Sequence, residues 1–286
     1  MLRSLAKRIL PRPIKDIIIR YIHPRRWKRE AARIAALKAK RIGPDSAPWD
    51  HKIFSQNGED GIIDRLTHEL KIKGSTFVEF GFSPYESNLL FYAAQTGAKG
   101  LFIDGSADCC DIAKTLFPSR GIDAKAVCSW IDRDNINDLI SENIGSDVGI
   151  LSIDLDGNDY WVWQRITVIN PILVITEYNA SFGPIRSVST PYAPDFDRFR
   201  HHSSAACHGM SLRAAASLAE RKGYSLVCTD LAGLNAFFVR NDKLSSTVRA
   251  VSVEAAFKPN KYRTNETSSQ DAQEKIAYQG AVVDVP

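Results

Sequence analysis

Short apolar runs and helix-patterned segments alternate along most of this chain, and this alternation constrains its fold more than any other feature. Runs of strand length and strand composition fall at 76–80, 100–103, 124–128, 149–153 and 172–176. Apolar residues recur at helical spacing over 59–70, 87–96, 108–117, 135–142, 160–168 and 211–222. This order predicts a parallel sheet with helices on both faces, because right-handed crossovers place the helices there.

Two further apolar runs, 225–229 and 235–239, flank a short turn that contains glycine, and they predict a hairpin. Such a hairpin adds an antiparallel strand to the sheet. The predicted fold class is therefore α/β: a Rossmann-like seven-stranded, mostly parallel sheet with a terminal antiparallel hairpin and helices on both faces.

Charge divides the chain into unequal parts. Residues 1–41 hold 14 lysines and arginines against two acids, so they carry +12 and the remainder carries −8 of the total of +4. We expect a basic N-terminal helical arm and linker over 1–48, a folded α/β domain over 49–257, and a polar, loosely ordered C-terminal tail over 258–286.

The basic arm over 1–41 can lie on an anionic membrane surface or dock on the acidic domain. No nucleic-acid partner is expected, because the domain itself is acidic. The apolar run at 17–19 is much shorter than the roughly 18 residues of a membrane span. The five cysteines show no CxxC spacing, which is typical of a reducing compartment. We expect a cytoplasmic protein, either free or peripheral at the inner face of the membrane, with its oligomeric state left open.

Carboxylates follow three of the predicted strands, at the edge where ligands bind in sheets of this class. Glu79 ends the first strand and is followed by Gly81, which lets a ligand approach the backbone. Asp104 ends the second strand, 25 residues after Glu79, near the spacing at which nucleotide-binding folds place an acid on ribose hydroxyls. Asp154 and Asp156 follow the fourth strand, where a plain turn over 156–159 is the alternative.

The loop after the first strand indicates which cofactor class to expect. It reads GFSPYESN over 81–88 and lacks the G-x-G-x-x-G run that cradles a pyrophosphate. A cofactor without phosphates therefore fits better. S-adenosylmethionine has a ribose for Asp104 and an amino-acid end for this loop.

Seven motifs together resemble S-adenosylmethionine-dependent methyltransferases of the FkbM-like type, which are associated with glycan and polysaccharide modification. They are SQNGEDGII (55–63), FVEFGF (77–82), ESN (86–88), GLFIDG (100–105), IDLDGNDYW (153–161), VITEYN (174–179) and HGMSL (208–212). The resemblance spans roughly 51–240 and implies the seven-stranded fold of that family. The chain departs from it in having one glycine in the first-strand loop, and in having Asp156 where the family often has glutamate.

The resemblance also implies cofactor contacts at the strand ends and in the segment before the first helix. The implied contact residues are Gln56, Glu59, Glu79, Gly81, Asn88, Asp104, Ser129 and Trp130. Ser129 and Trp130 are expected beside the adenine, and Ser55, Gln56 and Glu59 over the methionine end. A helix cap formed by Asn57, at capping spacing from Asp60, is the alternative for that last segment.

Methyl transfer needs an acceptor atom aligned behind the sulfonium, and a base or metal can make that atom nucleophilic. The catalytic candidates are Asp154, Asp156 and His208, with His208 as the base. Asp154, Asp156, Glu177 and Asn179 offer the oxygen ligands of a Mg²⁺ site, and the alternative is that the carboxylates only orient the acceptor. A His208 that only bonds backbone at a helix start is the other alternative.

The predicted function is S-adenosylmethionine-dependent O-methylation of a sugar or glycan-linked acceptor, the acceptor class resting on the resemblance. One alternative is a metal-dependent sugar-nucleotide glycosyltransferase that uses the D-x-D run Asp154-Leu155-Asp156. The other is a non-catalytic scaffold domain whose cofactor loop, at 83–85, has degenerated.

Overall fold

A computed structural model describes residues 52–266 and 269–286 of the chain. The strands are β1 (Phe77–Phe80), β2 (Gly100–Asp104), β3 (Ala124–Cys128), β4 (Ile150–Ile153), β5 (Leu173–Glu177), β6 (Val188–Ser189), β7 (Tyr224–Thr229), β8 (Asn235–Arg240) and β9 (Val283–Asp284). The α-helices are α1 (Glu59–Glu69), α2 (Leu90–Thr96), α3 (Ala107–Ser119), α4 (Ile136–Asn143), α5 (Asp159–Arg165), α6 (Arg198–His201), α7 (Leu212–Arg221), α8 (Val253–Ala256), α9 (Lys261–Glu266) and α10 (Gln270–Ala277). Two 3₁₀ turns lie at Ala180–Phe182 and Asn241–Lys243.

The main sheet has seven strands in the order β3-β2-β1-β4-β5-β8-β7. Strands β1 to β5 run parallel to one another, whereas β8 is antiparallel to both β5 and β7. The predicted fold class is confirmed, including the terminal hairpin of β7 and β8. The short antiparallel pair of β6 and β9 was not predicted.

Alternation along β1 shows how the sheet is covered on two sides. Val78 and Phe80 belong to the core cluster that also holds apolar residues of α4, α5 and α7. Phe77 points to the opposite side, where its ring meets Tyr92 of α2 and Phe102 of β2 edge-on. Because successive side chains of a strand face opposite ways, one four-residue strand contributes to both layers of the core.

The described residues of the segment 258–286, for which a loose tail was expected, make specific contacts with the rest of the domain. Strand β9 pairs with β6, and Tyr278 donates its hydroxyl to the carbonyl of Phe182 over 2.9 Å. Ala277 is fully buried in a small cluster with Phe182 and Val188. The polar composition of 258–286 does not predict these few apolar contacts, which join the tail to the segment after β5.

The predicted basic arm over 1–48 lies outside the described residues, so its membrane contact stays a prediction. Within the described part of the chain, every helix is too short or too polar to cross a bilayer.

Candidate functional site

Four strands of the parallel sheet deliver a carboxylate to the same edge. Glu79 lies in β1, Asp104 ends β2, Asp154 follows β4 and Glu177 ends β5. The strand order also reverses direction here, since β2 lies on one side of β1 and β4 on the other. Ligands of open α/β sheets bind at such a switch point, at the carboxyl ends of the strands. We therefore place the candidate site at this edge.

Glu79 is tied into the fold. Its carboxylate accepts hydrogen bonds from the Ser87 hydroxyl at 2.9 Å and from the backbone N–H groups of Asn88 and Leu89 at 2.8 and 2.9 Å. Burial raises the pKa of Glu79 to about 7, although all three bonds act in the opposite direction. The Asn88 amide in turn donates to the hydroxyl of Ser152 over 3.1 Å. Both side chains shape the loop after β1, and their cofactor contacts remain predictions.

Gly81 is where the ends of β1 and β4 come into contact. Its φ is +70°, and a Cβ built on it would lie 1.6 Å from the carbonyl oxygen of Asp154. Its own N–H donates to the carbonyl of Ile103 at 3.0 Å. Only glycine fits, so the close approach that this residue permits is first of all one of strand to strand.

Asp104 keeps part of its carboxylate free. Oδ1 accepts from the backbone N–H of Ser106 at 2.6 Å, while Oδ2 receives no hydrogen bond from the described residues. Burial, helped by the negative charge of Asp156, raises the pKa of Asp104. A buried acceptor with an unused oxygen at the end of β2 suits a ribose hydroxyl donor.

Trp130 lies next to Asp104. The indole covers Gly105, where an added Cβ would come within 2.9 Å of Cε3, and its Nε1 donates to the carbonyl of Pro194 over 2.5 Å. Trp130 is nevertheless 55% exposed. Ser129 donates its backbone N–H to the carbonyl of Asp104 at 3.0 Å. The structure thus brings Asp104, Ser129 and Trp130 together, and their contact with a nucleoside stays a prediction.

The segment before α1 is held by Asp60. One oxygen of this buried carboxylate accepts from the backbone N–H groups of Ile53, Phe54 and Ser55 at 2.7, 2.7 and 2.8 Å, and from the Ser55 hydroxyl at 3.0 Å. Burial raises the pKa of Asp60 to about 6. The side-chain cap considered for this segment is wrong, because the N-cap residue of α1 is Gly58. Ser55 and Asp60 instead bracket the chain into a tight turn.

Glu59 is directed toward the β7–β8 turn. Its carboxylate accepts from the backbone N–H of Asn57 at 2.7 Å and from the Asn235 amide at 2.9 Å. Strand β8 is four strand spacings from β2, about 19 Å, so Glu59 lies far from the Asp104 end of the edge. Gln56 is exposed and lines an open cavity of about 270 Å³. The other residues lining that cavity are Lys52, Asn57, Leu231, Ala232, Lys261 and Tyr262.

Asp154 and Glu177 differ from Glu79 and Asp60 in their hydrogen bonds. No hydrogen bond from a described residue reaches either carboxylate, although both lie at least partly buried. Burial, followed by the charge of Glu177, raises the pKa of Asp154 well above its usual range. Burial, followed by the charge of Asp156, raises the pKa of Glu177 to about 8. Two adjacent strands therefore end in acids that have no hydrogen-bond donor, although the charges of Arg198 and Arg263 act to lower the pKa of Glu177. Strongly perturbed acids of this kind are common at functional sites.

The acids after β4 form a turn, as considered, and the catalytic role of Asp156 stays a prediction. Asp159 holds the turn by accepting from the backbone N–H groups of Leu155 at 2.9 Å and Gly157 at 3.0 Å. Asp156 takes a φ of +55°, uncommon outside glycine, and presents its carboxylate to Arg198, whose Nη1 lies 2.5 Å away. The sequence between the two acids forms a turn, and the turn aims Asp156 at the site.

His208 is buried next to Asp156 and Glu177. Its side chain is part of a residue only 3% exposed, Nε2 faces Arg263 Nη2 at 3.2 Å, and Nδ1 has no hydrogen-bond partner. Burial and the charges of Arg198 and Arg263 lower its pKa well below the usual range, so the imidazole is neutral. The alternative of a ring bonded to backbone at a helix start is wrong, since α7 is capped by Ser211.

Asn179 is used by the fold. Its amide nitrogen donates to the carbonyls of Ala206 at 2.7 Å and His208 at 2.9 Å. Its oxygen accepts from the backbone N–H of Ser181 at 3.0 Å and from Arg263 at 3.1 Å. Both lone pairs of that oxygen are occupied, so Asn179 positions the segment around His208 and has no free atom for a metal.

The structure brings together Asp156, Glu177 and His208, each offering one ligand atom within 4.8 Å of the others. The predicted metal and base residues thus converge, although in a different combination from the predicted set of four oxygen ligands. Sequence reasoning missed Arg198 and Arg263, the two cations beside this cluster. They lie in an irregular stretch and in the tail, where no pattern in the sequence distinguishes them from solvent-exposed arginines.

Comparison with known proteins gives a likeness of fold. No protein-family model and no curated protein sequence matches this chain. A methyltransferase of Clostridium acetobutylicum that depends on S-adenosylmethionine aligns over 73% of this chain and 98% of its own, at 10% identity and a TM-score of 0.42. The Bacillus cereus O-methyltransferase in complex with S-adenosylhomocysteine aligns over 74% and 88%, at 14% identity and a TM-score of 0.42.

The mitomycin 7-O-methyltransferase aligns over 63% of this chain and 56% of its own, at 17% identity and a TM-score of 0.36. The similar solved structures thus include methyltransferases that depend on S-adenosylmethionine, and O-methyltransferases among them. At these identities and scores the likeness concerns the general course of the chain, and the chemistry must be argued from the site itself.

Proposed function

We propose that this protein is an S-adenosylmethionine-dependent methyltransferase of the FkbM-like type that methylates an oxygen of a sugar or glycan-linked acceptor. The observation that carries the proposal is the free carboxylate oxygen of Asp104 at the end of β2, beside the exposed indole of Trp130. Together they offer a nucleoside an acceptor for its ribose hydroxyls and a flat apolar surface for its base.

The position of the unpartnered acids supports the transfer step. Asp154 follows β4, which is separated from β2 only by β1, about 10 Å in the direction of the strand hydrogen bonds. A cofactor whose ribose lies on Asp104 can therefore direct its sulfonium toward Asp154 and Glu177. A buried carboxylate with a raised pKa and no donor is suited to take the proton of an acceptor hydroxyl.

An exposed aromatic ring beside the acids supports a sugar acceptor. Phe199 is 69% exposed, and the guanidinium of Arg198 lies 5.5 Å from its ring centroid. Aromatic faces suit the apolar faces of sugar rings, and loops over strand ends commonly carry specificity. The D-x-D alternative loses support, because Asp156 groups with Glu177 and His208 and not with Asp154.

The proposal is tested by isothermal titration of the full chain with S-adenosylmethionine and S-adenosylhomocysteine. We expect micromolar binding of both, weakened about tenfold by Asp104→Ala, equivalent to about 1.4 kcal/mol. Asp111→Ala is the matched control, since Asp111 lies exposed on α3 and removes the same charge. Absence of heat with both compounds would refute the proposal, and the same cell then tests UDP-sugars for the glycosyltransferase alternative. No binding of either ligand class would favour a scaffold.

A further inference from the structure

We infer that Asp156, Glu177 and His208 form a binding site for one divalent transition-metal ion, of the class of Mn²⁺, Fe²⁺, Co²⁺ or Zn²⁺. The donor set is two carboxylates and one imidazole. Mg²⁺ prefers oxygen ligands alone, whereas imidazole suits the transition metals. The site stands on its own geometry, and only its role in catalysis rests on the proposed function.

The distances are within reach of coordination. The three ligand atoms lie within 4.8 Å of one another. Ligands about 2.1 Å from a common ion lie about 3.0 to 4.2 Å apart, so a shift of roughly 1 Å closes the site. Asp156 is exposed at the end of its turn and can make that adjustment by rotating its side chain. His208 is buried and supplies the fixed point.

The imidazole gives a second, independent reason to expect a ligand. A side chain 97% removed from solvent normally has both ring nitrogens bonded, yet Nδ1 of His208 has no partner and Nε2 has only the 3.2 Å contact with Arg263. A guanidinium only donates, so the lone pair of the ring is on Nε2 in this structure, and an ion that binds the ring would take the place of the Arg263 contact. A ring with unused bonding capacity thus lies within the acid cluster.

In this structure the guanidinium of Arg198 is a cation in direct contact with the acid cluster. Its Nη1 bonds Asp156 at 2.5 Å, while its Nε is buried and has no acceptor. Arg198 therefore bonds Asp156 directly and acts on Glu177 only through its charge, and Glu177 accepts no hydrogen bond from the described residues. A divalent ion would compensate both carboxylates and the imidazole together. We infer that metal binding displaces Arg198 from Asp156.

In the proposed reaction the ion would bind the acceptor hydroxyl and lower its pKa. Asp154 follows the same strand as Asp156, lies outside the ligand set and accepts no hydrogen bond from the described residues, so its carboxylate is available to accept the proton. The acceptor oxygen then forms the new O–CH₃ bond as the S–CH₃ bond breaks. The bonding electron pair stays on sulfur, giving S-adenosylhomocysteine, a methylated acceptor and one proton.

The test uses MnCl₂ and the full chain, without S-adenosylmethionine or acceptor. Electron paramagnetic resonance of free Mn²⁺ measures the number of bound ions, and pulsed spectra detect the coupling to an imidazole nitrogen. We expect one Mn²⁺ per chain, bound at least about tenfold more tightly than Mg²⁺. Glu177→Gln should weaken binding about 100-fold, and His208→Asn should also remove the nitrogen coupling.

Arg198→Ala should tighten Mn²⁺ binding about tenfold, because it removes the competing cation. The control is Asp195→Asn, an exposed acid in the same segment, which should leave Mn²⁺ affinity unchanged. Thermal melts of Glu177→Gln establish that the variant is folded. The inference is overturned if neither Mn²⁺ nor Zn²⁺ binds, if Glu177→Gln binds as wild type does, or if Arg198→Ala weakens binding. Titration with S-adenosylhomocysteine is independent of all these outcomes, so a failed metal site and a failed cofactor site are distinguishable.

Discussion

Two groups of buried acids share the carboxyl edge of this sheet and differ in their partners. The bracketing acids are Asp60, Glu79 and Asp159, and each accepts at least two backbone N–H groups. The unpartnered acids are Asp154 and Glu177, which no described donor reaches. The bracketing acids are fully buried, and two of them, Asp60 and Asp159, lie at the starts of helices α1 and α5. The unpartnered acids are partly buried at the ends of strands β4 and β5.

The difference shows that an acid at a strand end is not by itself a sign of function. A bracketing acid is a connector: its oxygens satisfy N–H groups that a loop would otherwise bury without partners. The desolvation cost of an unpartnered acid is offset by no hydrogen bond, and acids with strongly perturbed pKa values cluster at functional sites. The following predictions test whether the two groups behave as differently as their contacts imply.

The largest effect is expected from a bracketing acid. Asp60→Ala leaves the N–H groups of Ile53, Phe54 and Ser55 without an acceptor and should lower the free energy of unfolding by about 4 kcal/mol. Urea denaturation at pH 7 measures this, and hydrogen exchange should show the segment before α1 opening first. A loss below about 1 kcal/mol would mean that water replaces the carboxylate there and that the bracket is dispensable.

Stability should depend on pH through Glu79. Its pKa is raised from 4.5 to about 7 in the folded state, so folding favours the protonated form. The contribution is fully present below pH 4.5 and is lost as the pH rises through about 7, a total of roughly 3 kcal/mol. Denaturation of wild type and Glu79→Gln at pH 5 and pH 8 isolates it from other acids. Equal pH dependence of the two proteins would show that the three donors, and not burial, govern this carboxyl.

An unpartnered acid should respond in the opposite direction. Glu177→Gln replaces an uncompensated carboxyl by a neutral amide of the same shape, and we expect the free energy of unfolding to stay equal or rise by about 1 to 2 kcal/mol at pH 7. The same urea denaturation measures the change. A clear loss of stability would place Glu177 among the bracketing acids, held by donors that the present contacts do not reveal.

The smallest effect concerns the nucleoside end of the edge. Trp130→Ala should weaken S-adenosylhomocysteine binding about fivefold, or about 1 kcal/mol, through loss of the indole face. Trp130→Phe keeps a ring but removes the bond to Pro194, and should bind nearly as wild type does. If the phenylalanine variant binds as weakly as the alanine variant, the hydrogen bond from Trp130 to Pro194 matters more for binding than the aromatic ring.

Much of the fold could be predicted, because the strands of the parallel sheet are bounded by clear changes from apolar to polar residues. The runs ending at Phe80 and Ile153 were placed correctly, and so was the hairpin of β7 and β8. The tail could not be predicted. Ala277, Tyr278 and strand β9 contact residues far away along the chain, and such contacts leave no periodic pattern in the sequence.

The sequence could place the candidate site at one edge of the sheet, but it could not predict the contacts of the residues there. Asp104, Asp154 and Glu177 could be assigned to one edge because parallel strands end together. The sequence could not tell that Glu79 would be saturated by Ser87, Asn88 and Leu89, since that depends on a loop conformation. Nor could it place Arg263 against His208, 55 residues apart.

A crystal structure of the full chain with S-adenosylhomocysteine tests the central claim most directly. We predict the ribose hydroxyls on Asp104, the adenine beside Trp130, and the sulfur facing Asp154 and Glu177. The account is contradicted if the compound binds away from this edge, if its sulfur points away from the unpartnered acids, or if the edge stays empty at saturating concentrations.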